Sequence, residues 1–265
     1  MSGRRAFFVN SALAYATATL LMAAVHETGH GLMAQALGFS PKIYAFYEDN
    51  PSGTPHQNLL ILAAGPLTSL IVGAILLVLL RRQRSHYAFD RLLLFWMSWA
   101  GIMTFVNYLI VTPWLAAGDT AAIADIFNAP VWARYVVCVI GIAIVIALAR
   151  PAKRAMLAIA PAAAFDLQTF RGRRAFVLFG FYLPLLAGTA LTAAGGIGGN
   201  PFIVFLGLLG TIGNIDIIAA TLYVDIGPDE LRAADAPLRI APAAIVAYLL
   251  MVAAYVFVFA RGMPV

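Results

Sequence analysis

What most limits the folds open to this chain is a set of apolar runs longer than the roughly 20 residues that cross a bilayer. They lie at about 6–38, 57–80, 92–112, 131–149, 175–194, 202–223 and 239–260. In hydrocarbon each backbone N–H and C=O must be satisfied within the protein, and a single run of this kind achieves that as a helix. The expectation is an all-α polytopic membrane protein with about seven transmembrane helices. Composition agrees, with 62% of the 265 residues hydrophobic and 11% charged, against about 25% charged in a soluble domain. The net charge of +5 comes from basic residues beside the spans. That placement suits the headgroups of a lipid bilayer and argues against nucleic acid as a partner. A single cysteine, Cys138, excludes an internal disulfide and makes a Cys-based metal site unexpected. Arg4 and Arg5 precede the first run as in a signal peptide, but the run extends well beyond an h-region and is expected to be retained.

The first run contains His26-Glu27-Thr28-Gly29-His30. Ionisable groups are costly inside a membrane span, about 2.5–3.5 kcal/mol each on insertion scales, and read as functional there. On a helix His26 and His30 share one face and can grip one metal ion, with Glu27 beside them to handle protons. Gly29 and Gly31 each cost about 1 kcal/mol relative to Ala in a helix, which makes sense where another backbone passes close by. A hydrolytic zinc site takes three protein ligands and one water. The third ligand should be an acid or histidine outside the first span. Asp119, after Gly118, is the choice, with a helix N-cap or solvated loop acid as its alternative. Asp125 is a weaker candidate.

Gly38, Ser40 and Pro41 end the first helix, and 42–47 reads as a short extended piece before a polar turn region at 48–55. An ordinary interfacial loop is one reading of that stretch; a strand edge that accepts an extended substrate is the other. Pro66 interrupts the second span and obliges neighbouring groups to satisfy a freed carbonyl. Asn107 near the end of the third span is a candidate to position the scissile peptide, with a helix–helix hydrogen bond as the alternative. His56 reads as a solvated loop histidine, or as a lining of the cavity mouth. In the sixth span Gly207, Gly210 and Gly213 form a small-residue stripe, followed by Asn214 and Asp216, read mainly as packing polar groups. A basic connection is expected at 150–174. The Lys/Arg bias places Arg4, Arg5 and the 81–91 and 150–174 loops in the cytoplasm, with the motif end of the first span opposite.

Taken together, the motif at 26–30, Ala64-Gly65-Pro66-Leu67 in the next span, and the series Asn107, Pro113, Asp119 resemble the site-2 protease family of intramembrane zinc metalloproteases. The resemblance covers about residues 6–128. It implies one Zn²⁺ held by His26, His30 and Asp119, with Glu27 as catalytic base and Asn107 positioning the peptide. The reaction implied is hydrolysis within or near a transmembrane helix of a membrane protein substrate, often as the second cut of regulated intramembrane proteolysis. Ser69 stands where the family usually has Asn, Gly118 precedes Asp119 instead of following it, and the Asn107-to-Asp119 spacing is longer than usual. Family members turn the motif end toward the cytoplasm, opposite to the Lys/Arg reading. The expected organisation is a three-span protease core at 1–128 and a four-span helical region at 129–265, multi-pass in the cell (inner) membrane. No insert large enough for a PDZ or CBS domain is present, so substrate selection falls to the spans, the loops or a regulatory membrane partner. The competing functions are an inactive zinc-binding scaffold or regulator, and a transporter.

Overall fold

The computed structural model describes residues 2–44, 48–49, 53–82, 88–115, 118–161, 164–194 and 239–264, together with Ile215, Ala219, Ala220 and Leu222. Most of these residues are helical. The order is α1 (Ser2–Ala36), β1 (Lys42–Ile43), β2 (Glu48–Asp49), α2 (Pro55–Arg82), α3 (Ala88–Val111), α4 (Asp119–Ile126), α5 (Val131–Ile159), α6 (Phe170–Val177), a π-helical turn (Leu178–Tyr182), α7 (Leu183–Ala194), α8 (Pro242–Phe257) and β3 (Met263–Pro264). Among the described residues six helices are long and apolar enough to cross a membrane: 3–36, 55–82, 89–111, 131–159, 170–193 and 242–261. The chain is thus a polytopic membrane protein. The expected span at 202–223 falls almost wholly outside the described residues, as do Gly207, Gly210, Gly213, Asn214 and Asp216.

Local sequence accounts for the helix ends. Gly38 takes φ +87°, and the Phe39 N–H donates to the Ala34 carbonyl, closing α1 with a glycine C-cap. Thr54 and Gln57 exchange side chain-to-backbone hydrogen bonds at the start of α2, a capping box. In α5 the helix runs on through Pro151 to Ile159. Arg150, Lys153 and Arg154 therefore lie on a helix end, where a basic connecting segment was expected. Proline is tolerated inside such helices where neighbouring groups satisfy the freed backbone.

Helix α1 is the central post, packed by α2, α3, α7 and α8. Ser11 ties three elements together. Its hydroxyl donates to the Gly180 carbonyl at 2.6 Å and accepts from Trp96 Nε1 at 2.9 Å. Gly180 lies in the π-helical turn, where the widened ladder offers a carbonyl to a partner. Asn10 bonds both the Arg239 carbonyl and the Ala241 N–H at the head of α8. Further along, the Tyr255 hydroxyl donates to the Leu20 carbonyl of α1, so α8 runs parallel to α1. The segment from α6 to α7 is also parallel to α1, since Phe7 stacks on Phe176 and Gly188 lies against Ala12 and Tyr15. Arg4 donates to the Ala164 carbonyl and stands over the Phe165 ring, which puts the first basic residues and the 160s at one end of the bundle. Outward faces are apolar, with Ile71, Ile75, Val139, Ile146, Leu249 and Leu250 exposed, as lipid contact requires.

The stretch after α1 forms an antiparallel pair, Lys42 with Asp49 and Ile43 with Glu48. Thus β2 begins in residues expected to belong to the polar turn. The other side of β1 pairs with Met263 and Pro264 of β3, giving the order β2-β1-β3. Both edges of β1 are occupied by the chain itself.

Glycines bring α2 and α3 together. A Cβ at Gly73 would lie 2.7 Å from the Ile102 nitrogen and 2.9 Å from the Ser98 carbonyl, and backbone cannot swing aside as a side-chain end can. Gly73→Val should therefore destabilise the protein by about 1–3 kcal/mol, the usual cost of overpacking, measured by unfolding in mixed micelles. Val72→Ala serves as the control, with an expected loss smaller than that of Gly73→Val.

Candidate metal centre

The centre is assembled by four helices, and α1 supplies its floor. His26 and His30 are 6% and 4% exposed, and Glu27 is 8% exposed. Spacing of four puts the two imidazoles on one helix face, with ring centroids 4.7 Å apart and Nε2 atoms 3.1 Å apart. Glu27 is close enough for its charge to act on His30 and on Tyr108 of α3.

Helix α2 orients both rings from behind. His30 Nδ1 lies 2.7 Å from the Ile61 carbonyl. A carbonyl only accepts, so Nδ1 carries the proton and the neutral ring turns the lone pair of Nε2 inward. His26 Nδ1 meets the Ser69 hydroxyl at 3.3 Å. Pro66 lies between these partners and withholds the N–H that would bond the Leu62 carbonyl. Ile61, Gly65 and Ser69 succeed one another at intervals of four, a stripe of α2 facing α1. A methyl at Gly65 would overlap the His30 ring, and a Cβ at Gly29 would lie 2.7 Å from Thr68 Oγ1 and 2.9 Å from the Ala64 carbonyl. Gly29 thus serves the close backbone approach expected of it. Gly65, the glycine beside Pro66, serves the same end, as its place next to a mid-span proline suggests.

Helix α4 delivers the acid. Asp119 is its first residue, after Gly118 with φ +89°. Asp119 Oδ2 makes no hydrogen bond to its own helix. Instead Asp119 Oδ2 points at His26 Nε2 at 3.1 Å and His30 Nε2 at 3.4 Å, and the oxygen is buried. These three residues form the cluster of metal-capable side chains found among the described residues. Asp125 lies elsewhere, ion-paired with Arg134. His56 is exposed near the start of α2 and is outside the cluster. Asn107 lies on α3, partly buried, outside the three-residue group, and next in sequence to Tyr108, whose ring stacks on His26 at 5.7 Å.

The arrangement has a clear electrostatic consequence. Two imidazole nitrogens, acceptors when the proton is on Nδ1, and a carboxylate oxygen converge in a buried space. Such a group is unfavourable unless a proton on an imidazole Nε2 or a cation lies among its members. Ligands held about 2.0–2.1 Å from one tetrahedral ion stand about 3.3 Å apart. The separations of 3.1, 3.1 and 3.4 Å fit that spacing, so the residues fit a small divalent cation. Three protein ligands leave a fourth position open.

Sequence reasoning named the three residues that converge here but missed the orienting groups. Ser69 appeared only as a departure from a family pattern; its spacing of four from Gly65, and of eight from Ile61, is the signal that would have placed it against α1. No family model, curated protein or solved structure matches this chain.

Removing an outer hydrogen-bond partner of a metal-bound histidine typically weakens metal affinity about 10–100-fold. Ser69→Ala should weaken affinity to that extent in competition with a chromogenic chelator. Asp119→Ala should weaken it further still, whereas Asp125→Ala should leave it at the wild-type value.

Proposed function

We propose that this chain is an intramembrane zinc metalloendopeptidase of the site-2 protease type, which cuts membrane protein substrates within or near a transmembrane helix in the cell (inner) membrane. The observation that carries the reading is the meeting of His26 Nε2, His30 Nε2 and Asp119 Oδ2 inside a bundle of membrane-spanning length, with Glu27 buried beside them. A set of two nitrogens and one carboxylate oxygen with an open position is the donor set of catalytic zinc. A purely structural zinc site is closed by a fourth protein ligand, and no fourth metal-capable side chain joins this group among the described residues.

Bound there, zinc would supply Lewis acidity and lower the pKa of a water at the open position to about 7. The protein's own part is orientation and proton transfer. Ile61 and Ser69 keep the two imidazole Nε2 atoms turned inward. The Glu27 carboxylate accepts the proton released by the attacking water and returns it to the departing amine nitrogen. Asn107 donates its side-chain amide to the substrate backbone and holds the scissile carbonyl in place. The helix of the substrate has to unwind locally, because a peptide bond locked in a helix is shielded from attack.

The deciding experiment uses purified protein, its zinc content, and cleavage of a model transmembrane substrate. Wild type should hold about one zinc per chain and cleave. Glu27→Gln should hold the same zinc and lose activity by about 10²–10⁴-fold, the usual worth of a general base. A wild type without zinc, or a Glu27→Gln variant cutting at the wild-type rate, would overturn the reading.

A further inference from the structure

We propose that Tyr108 is a positioning residue that clamps the metal centre, fixing the plane of His26 and the entry point of Asp119 at once. The inference rests on the metal-binding reading of His26, His30 and Asp119, and extends it to a residue outside the ligand set.

Three separate contacts of Tyr108 lead to this. Its ring lies over the His26 imidazole, with centroids 5.7 Å apart and planes inclined by 27°. The edge of the same ring abuts Gly118. A Cβ built on Gly118 would lie 2.6 Å from Tyr108 Cε1, and Gly118 also takes φ +89°. Both constraints favour glycine, since a side chain would be strained by the backbone and would displace the ring. Finally, the Tyr108 carbonyl receives two hydroxyls, Thr112 Oγ1 at 2.6 Å and Thr120 Oγ1 at 2.8 Å, which are themselves 2.7 Å apart. Two hydroxyl protons serve these three contacts. Thr120 follows Asp119 directly, so α4 is tied to α3 on both sides of the acid: through Gly118 against the ring, and through Thr120 against the carbonyl.

The geometry explains why Asp119 reaches the imidazoles despite its distance in sequence from Asn107. The chain leaves α3 at Val111, passes Pro113, and comes back to the residue it left three positions before. Tyr108 works as a stop against which the return is seated. The ring rather than the phenol oxygen makes the contacts with His26 and Gly118, so the aromatic shape is what matters.

The test measures metal affinity by chelator competition and the visible absorption of the Co²⁺-loaded protein, which reports ligand geometry independently of catalysis. Tyr108→Phe should bind within about twofold of wild type. Tyr108→Leu should bind about tenfold or more weakly, in the range of outer partners of metal ligands, with an altered Co²⁺ spectrum. Phe105→Leu, on the same helix, should leave both readouts unchanged. If Tyr108→Leu fails to fold, Gly118→Ala and Thr120→Val decide the matter, because each attacks the clamp from the α4 side. Wild-type affinity and spectrum in Tyr108→Leu, or in both of those variants, would overturn the clamp. So would a Tyr108→Phe variant as impaired as Tyr108→Leu. A wild type that binds neither Zn²⁺ nor Co²⁺ overturns the clamp and the peptidase reading together. Metal binding that responds to Tyr108→Leu without any peptide cleavage overturns the peptidase reading alone.

Discussion

Two imidazole nitrogens and a carboxylate oxygen held within 3.4 Å of one another set the demands that the rest of this structure meets. A buried acceptor without a donor costs about 1–3 kcal/mol, and more if charged. A bundle that gathers three of them gives up stability unless a cation, or a proton on an imidazole, is shared among them. Much of the surrounding sequence serves that gathering. Gly29 and Gly65 let α1 and α2 approach until the Ile61 carbonyl reaches an imidazole. Gly118 lets α4 seat against Tyr108. The small residues therefore belong to the same device as the ligands, since a methyl at Gly65 would displace His30 as surely as a substitution of its own.

The other helices hold α1 still. Without a hydrophobic force between helices in lipid, association relies on close packing and on interhelical hydrogen bonds. Such bonds occur along the length of α1, through Asn10, Ser11 and the Leu20 carbonyl. The Leu20 bond comes from Tyr255 of α8, six residues before His26, so the last helix braces the turn that leads into the metal motif. By contrast α5 and α8 turn broad apolar faces outward. This division gives the spans beyond α4 a physical role in keeping the ligand-bearing helix in place.

Much of this was legible in the sequence, for identifiable reasons. Run length alone located the six described spans to within a few residues at most of their ends, because the bilayer imposes the length. The largest miss was α5, which continues through Pro151 to Ile159; a basic, proline-containing stretch reads as a loop when its tertiary support is unseen. His26, Glu27 and His30 were legible because ionisable groups stand out in an apolar helix. Asp119 was legible because Gly118 and Pro113 mark a break beside it. The partners were not. Ile61 acts through a backbone carbonyl, which has no sequence signature. Tyr108 is an aromatic in a span, where packing is the default expectation. The pairing of β1 with β3 joins residues more than 200 positions apart, beyond the reach of any local pattern.

The position of Asp119 at the start of α4 has its own electrostatic logic. The first turn of a helix presents unpaired N–H groups and the positive end of the macrodipole, worth about 0.3–1 kcal/mol to an adjacent anion. The carboxylate can thus stay ionised in a largely apolar setting without a cap bond that would turn it away from the histidines. Two neutral imidazoles and one carboxylate then leave a divalent cation with a single uncompensated positive charge. A second carboxylate would have cancelled that charge, and a third imidazole would have left it at two. In the proposed peptidase, that intermediate value would keep the centre electrophilic while limiting the charge that an apolar bundle has to bury, and α4, tied down by Thr120 and Gly118, is the element that would set it.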